Sequence, residues 1–257
     1  MIVYCSLLTG CGSFVAILVY IIFQSEHYVQ WQDKAVQSAF FVGAVLCLGF
    51  SCLFHTLYCH SEAIGKLFNK LDYCGIAVLT MGSFVPYLYY SFYCSFWPKI
   101  IYLLLIIALG TAAIVVSMFD KFASPPYRPL RAGVFIGLGL SGLIPCIHYC
   151  WFEGFWSSVE NASLGWLILM ALLYIGGAII YAVRIPERLF PGRFDLWVPT
   201  HFLIFSSAGF SISNAYNICT FGLNNIFKCF QSHQIFHVFV VAAAFVHYHG
   251  IVKIADF

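Results

Sequence analysis

Apolar and polar positions alternate along this chain in blocks the length of whole helices. Runs of about 20 mostly apolar residues, enough for a helix to cross a hydrocarbon core of ~30 Å, are separated by short stretches that hold nearly all the charges. The predicted spans are 2–23, 35–58, 72–93, 99–119, 132–150, 164–183 and 232–252. The pattern therefore predicts an all-α fold, a polytopic bundle of seven transmembrane helices.

One stretch departs from this pattern. Residues 198–229 are too weakly charged for an ordinary loop, and Ser, Asn and Gly interrupt them too often for a transmembrane span. We predict that 198–229 form an irregular insert, in part interfacial, that stays on one side of the membrane. The whole chain, 1–257, is then a single seven-helix membrane domain with an insert between spans six and seven.

Composition excludes two other classes of protein. With 62% hydrophobic and 9% charged residues, the chain has more apolar surface than one water-soluble domain of this size could bury. The formal net charge is only +2, so the basic surplus typical of nucleic-acid-binding proteins is absent from the sequence. We therefore expect a lipid bilayer, and not nucleic acid, as the main surroundings of the protein.

The distribution of Lys and Arg predicts the orientation in the membrane. Eight of the 12 Lys and Arg residues fall in 59–71, 120–131 and 184–197, in the second, fourth and sixth connections, and these connections should be cytoplasmic by the positive-inside rule. With seven spans, the N-terminus is then cytoplasmic and the C-terminus extracellular. This orientation is the reverse of that of G-protein-coupled receptors.

Four ionisable side chains are predicted to share one depth near the cytoplasmic face. His55 lies near the end of the second span, Asp72 opens the third, and His233 and His237 open the last. Ionisable groups at membrane depth are costly, so their convergence indicates a functional site. The remaining histidines are predicted to be interfacial or distant from this group: His27, His60, His148, His201, His247 and His249.

The spacing of these histidines favours a metal site. His233 and His237 are four residues apart, which places two imidazoles on one helix face, and His55 supplies a third ligand from another span. Zinc held by three His with water in the fourth position is typical of catalytic sites. Asp72 could accept the proton of that water.

Ser51, one turn before His55, could polarise a substrate carbonyl or hold the water. The spacing leaves simpler interpretations open. Single histidines often form hydrogen bonds at the membrane interface. Asp72 could be a helix N-terminal residue whose negative charge interacts favourably with the helix dipole. Ser51 could donate a hydrogen bond to a carbonyl of its own helix.

Five longer segments resemble a known family. They are SCLFHTLYCHSE (51–62), LDYCGIAVLTMGSFVPYLYYSFYC (71–94), RAGVFIGLGLSGLIP (131–145), RIPERLFPGRFDLW (184–197) and QSHQIFHVFVVAAAFVH (231–247). These motifs resemble the adiponectin receptors of the progestin and adipoQ receptor family over about 36–197 and 230–250. The resemblance implies a seven-helix bundle with a cytoplasmic N-terminus, in agreement with the charge distribution.

The resemblance also implies a chemistry. The family's zinc ligands fall on His55, His233 and His237, its aspartate on Asp72 and its serine on Ser51. The implied function is a plasma-membrane receptor for an adiponectin-like hormone, with zinc-dependent ceramidase activity that releases sphingosine and a fatty acid and links lipid metabolism to signalling. The alternatives are a receptor in which zinc is only structural and an inactive splice form. A transporter is a weaker hypothesis, because no acid or Lys lies deep in a predicted span.

Two departures from the family pattern are expected to matter. The family's soluble N-terminal region is absent from this sequence, and family members pass directly from the segment matching Trp197 to the one matching Phe230. The insert 198–229 therefore precedes two of the predicted ligands. Whether copies of the chain associate is left open.

Overall fold

The structure is a computed structural model that describes residues 2–24, 30–57, 60–123, 127–160, 163–186, 188–189 and 232–255. The predicted insert 198–229 lies outside the described residues. The described helices are α1 (Ile2–Phe23), α2 (Trp31–Leu57), α3 (Glu62–Ser91), α4 (Phe96–Met118), α5 (Asp120–Ala123), α6 (Arg128–Leu140), α7 (Leu143–Glu153), α8 (Phe155–Glu160), α9 (Leu164–Val183) and α10 (Ser232–Ala255).

The prediction of seven spans is confirmed within the described part of the chain. Seven segments are long and apolar enough to cross a bilayer: Ser6–Phe23, Trp31–Leu57, Glu62–Ser91, Phe96–Met118, Gly133–Glu153, Leu164–Val183 and Gln234–Ala255. All regular structure among the described residues is helical, which confirms the all-α prediction. The molecule is a multi-pass membrane protein.

The third helix begins earlier than hydropathy predicts. Ser61 caps its first turn, because the Ser61 hydroxyl accepts a hydrogen bond from the Ile64 amide. The helix therefore starts at Glu62, ten residues before the predicted start of the span at Asp72. Asp72 consequently lies inside a helix and not at its N-terminus, so the macrodipole, which acts within the first turn, does not explain its presence.

The fifth span is built from two helices. α6 ends at Leu140 and α7 begins at Leu143, with a turn at Ser141 and Gly142 between them. Pro145 lies in the first turn of α7, where its missing N–H would have had no partner within the helix. The predicted span 132–150 is thus a broken helix, whose break lies against α3, because a β-carbon on Gly142 would come within 2.7 Å of the Phe84 ring.

α2 and α3 pack closely as an antiparallel pair. A β-carbon on Gly75 would lie 2.8 Å from the Cα atom of Cys47, and one on Gly82 would lie 2.6 Å from the carbonyl oxygen of Ala39. Glycine is required at both crossing points, since any larger residue would separate the backbones. This close contact fixes how the functional ends of α2 and α3 face each other.

The last helix, α10, packs against α9, α1 and α3. α10 runs antiparallel to α9, because Phe236 contacts Tyr181 near one end of the pair and His249 contacts Trp166 near the other. The end of α9 and the start of α10 therefore lie at the same end of the bundle. That geometry is the one expected if the segment between them returns to the side it left, as predicted for 198–229.

Candidate metal centre

Two of the predicted zinc ligands meet across two helices. His55 lies in the last turn of α2 and His237 in the second turn of α10, and their Nε2 atoms are 3.1 Å apart. The ring planes are nearly perpendicular, at 85°. His237 is buried, with 5% of its surface exposed. The structure thus brings together side chains that are 182 residues apart in sequence.

The distance between the two Nε2 atoms suits joint metal ligation. Two nitrogens bound at 2.0–2.1 Å to one tetrahedral ion lie roughly 3.3 Å apart. The observed 3.1 Å is close to that value and is also a normal hydrogen-bond distance between a donor and an acceptor imidazole. The pair could therefore hold a metal ion with little movement of either helix.

Ser51 and Asp72 form the second part of the site. Ser51 lies one turn before His55 and is 3% exposed, and its hydroxyl faces the Asp72 carboxyl of α3. The contact is looser than a full hydrogen bond, and the structure gives Ser51 Oγ no other bond among the described residues. Ser51 is therefore not bonded to its own helix, unlike Thr56, whose hydroxyl donates to the Cys52 carbonyl at 2.7 Å.

The described side chains supply part of a metal site: two imidazoles, with the buried Ser51 hydroxyl one turn before His55 and the Asp72 carboxyl facing that hydroxyl. A zinc ion with bound water would need a third imidazole. His233 belongs to the first turn of α10 by its backbone, and its side chain lies outside what the structure describes. The described side chains contain no group of three or more His, Cys, Asp or Glu that could bind one metal ion. Asp72 therefore does not join the imidazole pair as a ligand.

One histidine was misassigned by the sequence prediction. His247 was expected at the membrane interface, but it is 3% exposed, and its Nε2 lies 3.1 Å from the carbonyl oxygen of Ser83 on α3. Pro86 lies one turn further along α3 and removes an N–H from that helix. His247 thus supplies a donor near a proline-weakened turn, a role set by tertiary packing and invisible in hydropathy.

An ion pair lies at the His55 end of α3. Lys70 Nζ is 2.5 Å from a carboxylate oxygen of Asp120, at the start of α5. The hydrogen bond and positive charge of Lys70 hold the pKa of the Asp120 carboxyl below its ordinary value of 3.8. Because Asp120 is exposed, this pair positions the short helix α5 and contributes little to stability.

Comparison with known proteins decides the family. A family model described as "Haemolysin-III related" matches residues 5–210. The chain belongs to the haemolysin-III related family, in its progestin and adipoQ receptor branch. The resemblance predicted from the five sequence motifs is therefore confirmed.

Several curated relatives of this branch are similar over most of the chain. The adiponectin receptor protein of Drosophila melanogaster is 53% identical over 248 residues, 96% of this chain and 49% of that protein. Progestin and adipoQ receptor-like protein 1 of Caenorhabditis elegans is 46% identical over 96% of this chain and 50% of its own length. Heptahelical transmembrane protein 4 of Arabidopsis thaliana is 42% identical over 82% of this chain and 46% of its own.

This member of the family spans about half the length of the curated relatives it matches. The predicted extent of the resemblance, 36–197 and 230–250, is too short at its N-terminal end, because the family model matches from residue 5. That match ends at residue 210, within the predicted insert. The alignment with the Drosophila protein leaves only a few residues unaligned, so it includes His233 and His237.

Proposed function

We propose that this adiponectin-receptor-like membrane protein is a zinc-dependent amidohydrolase that cleaves ceramide into sphingosine and a fatty acid. The observation that carries the proposal is the 3.1 Å approach of the Nε2 atoms of His55 and His237 at one end of the bundle. His233 would complete the zinc site, since it is four residues before His237 in the same helix. The open fourth position would belong to water.

Bound Zn²⁺ would lower the pKa of a water molecule to about 7 and make it a nucleophile at neutral pH. Asp72 would accept the proton of the attacking water and pass it to the amide nitrogen as the carbon–nitrogen bond breaks. The oxygen of water ends in the fatty-acid carboxyl group, and the nitrogen leaves as the amine of sphingosine. Ser51, whose buried hydroxyl faces the Asp72 carboxyl, would donate to the substrate carbonyl oxygen.

The same contact supports one competing function. His55 and His237 join α2 to α10, so a metal held there could serve only to hold the helices together, while receptor activity depends on helix movement. An inactive splice form, with the insert 198–229 preventing assembly of the site, is the remaining alternative. Both alternatives predict no amide hydrolysis.

Asp72→Asn separates catalysis from a structural role. We expect purified parent protein to release fatty acid from labelled ceramide, and Asp72→Asn to lose this activity by about 100-fold or more while keeping its zinc. Asp33→Asn is a matched control, because Asp33 lies at the opposite end of α2, where it accepts a hydrogen bond from Tyr90. Hydrolysis that survives in Asp72→Asn, or is absent from the parent, would contradict the proposal.

We further propose a plasma-membrane location with the His55 end cytoplasmic and an adiponectin-like hormone as the extracellular ligand. The proposed orientation rests on the Lys and Arg distribution. The proposed hormone rests on the name of the Drosophila relative. Homo-oligomer formation also stays a proposal, to be tested by the mass of the purified protein in detergent.

A further inference from the structure

Exposed tryptophan side chains collect at one end of the bundle. Among the described residues, every tryptophan with more than half of its surface exposed lies at this end: Trp31, Trp97, Trp151 and Trp156, which are 66–83% exposed. Phe152 and Phe155 lie beside the last two and are also exposed. These six residues form a surface that we call the aromatic girdle.

The girdle lies at the end of the bundle opposite the candidate metal centre. Tyr90, near the end of α3, donates a hydrogen bond to Asp33 in the first turn of α2. Tyr102, in the second turn of α4, has its hydroxyl oxygen 2.6 Å from Nδ1 of His148, near the end of α7. The starts of α2 and α4 and the ends of α3 and α7 therefore lie together, whereas the metal centre is at the last turn of α2.

The girdle surrounds the bundle and is not confined to one side of it. Neighbouring helices contact one another in a ring that runs from α1 through α2, α3, α4 and α6, then through α7 and α8 to α9, α10 and back to α1. Trp31 belongs to α2 and Trp97 to α4, and the other four girdle residues belong to α7 and α8. A protein partner would cover one side of this end, whereas lipid meets every side.

The connection from α7 to α8 carries most of the girdle. Gly154 ends α7 with a φ of +85°, a backbone conformation that favours glycine, and the chain turns there into α8. Ser158 is buried, but Phe155 and Trp156 at the start of α8 stay exposed. α8 lies between the fifth and sixth spans, which both end at this side of the bundle, so it is level with the membrane surface.

The exposed side chains change with depth as a bilayer requires. In the middle of α4 and α9 they are aliphatic: Leu104, Ile107, Leu172 and Ile175. Indole rings combine an apolar surface with an N–H donor and favour the boundary between headgroups and hydrocarbon. α2 begins at Trp31, and its 27 residues are ~40 Å long, more than the ~30 Å hydrocarbon core. Trp31 and the turn that carries His55 therefore lie at opposite boundaries.

We propose that the aromatic girdle binds the boundary between headgroups and acyl chains in the leaflet farther from the metal centre. α8 lies along that surface, with Phe155 and Trp156 inserted into it. The partner is phospholipid in general and not one headgroup class, because the girdle offers rings and indole N–H donors and carries no charge. This lipid contact depends neither on zinc nor on the hydrolase reaction proposed above.

Tryptophan fluorescence in phosphatidylcholine nanodiscs tests the girdle. Part of the lipid carries bromine, which quenches indole emission on contact, either near the headgroup or near the chain end. The emission that is lost in Trp151→Phe with Trp156→Phe belongs to those two rings. In the parent, that emission should be quenched at least about twofold more by bromine near the headgroup than by bromine near the chain end or by aqueous acrylamide, since the rings lie at the boundary.

A second pair and a control complete the experiment. Trp31→Phe with Trp97→Phe should give the same result, because those tryptophans lie on other sides of the bundle. Trp166→Phe is the matched control, because Trp166 is only 37% exposed and contacts His249 edge to face. The emission that it removes should be quenched less by all three agents. Thermal melting of each variant verifies folding, and either pair alone can decide if the other does not fold.

Three results would overturn the proposal. Stronger quenching of either pair by acrylamide than by brominated lipid would show a surface that faces water and is available to a protein partner. Strong quenching by bromine near the chain end would place the rings inside the hydrocarbon core. Shielding from all quenchers only when a nanodisc holds two copies would assign the surface to a second copy of the chain.

Discussion

His55 and His237 point their Nε2 atoms at each other from antiparallel helices, at a separation of 3.1 Å. Two imidazoles in this arrangement either share one proton as a hydrogen-bonded pair or share one metal ion. Ser51, one turn before His55, is buried and faces the Asp72 carboxyl, so a metal ion at the histidine pair would have a hydroxyl and a carboxyl on the adjoining turns of α2 and α3.

Metal analysis is the first prediction. Detergent-purified protein should contain about one zinc per chain, and His55→Ala with His237→Ala should reduce it at least tenfold, since a single remaining imidazole binds zinc weakly. His249→Ala is the control, because His249 is exposed on the same helix and makes an edge-to-face contact with Trp166. Equal zinc in the double variant and the parent would contradict the metal centre.

The close packing of α2 on α3 gives the second prediction. Gly75→Ala would force a β-carbon to 2.8 Å from the Cys47 backbone, so the helices must separate, at a cost of about 1–3 kcal/mol. Gly49→Ala is the control, because a β-carbon there meets nothing within 4 Å. Melting temperatures in detergent should fall for Gly75→Ala and stay equal or rise slightly for Gly49→Ala, because alanine favours the helix where there is room for it. A fall of similar size in both would exclude this explanation.

Sequence periodicity could predict the depth of the site but not its contacts. Hydropathy placed His55 and His237 at one end of the bundle because it registers which segments enter lipid. It missed the start of α3, because the first turns after Ser61 are polar and are set by helix capping. It misassigned His247, because whether a histidine faces lipid or the bundle depends on helix rotation, which close contacts between helices determine.

The buried bond of His247 gives a third prediction. His247→Leu removes the donor to the Ser83 carbonyl and should destabilise the protein by about 0.6–2 kcal/mol, the range for hydrogen bonds inside membranes. His249→Leu should have a smaller effect, because that side chain is exposed. Thermal unfolding in one detergent compares them, and a larger loss for His249→Leu would refute the assigned role of His247.

The ion pair of Lys70 and Asp120 predicts a pH dependence. The lowered pKa of Asp120 means that the pair adds stability above the carboxyl's ordinary pKa of 3.8 and loses it as the pH falls through the lowered value. The ¹³C shift of the Asp120 carboxyl should titrate below 3.8 and return toward it in Lys70→Gln. Because Asp120 is exposed, 0.5 M salt, at which the Debye length is only about 4 Å, should screen the pair and also raise the midpoint. A midpoint unaffected by Lys70→Gln would show that the contact does not persist in solution.

Membrane topology is the last prediction, and the metal centre depends on it. α9 and α10 are antiparallel, so a segment joining them that stays on one side leaves His237 at the same face as His55. If 198–229 instead crossed the membrane once, His233 and His237 would start on the opposite face, ~30 Å of hydrocarbon away from His55.

We expect an epitope after Phe257 to be stained on intact cells, and one inserted within 198–229 to be stained only after permeabilisation. An N-terminal epitope should behave like the second, because α1 is parallel to α10. Staining of the insert epitope on intact cells would remove the basis for a shared zinc site, whatever the metal analysis gave.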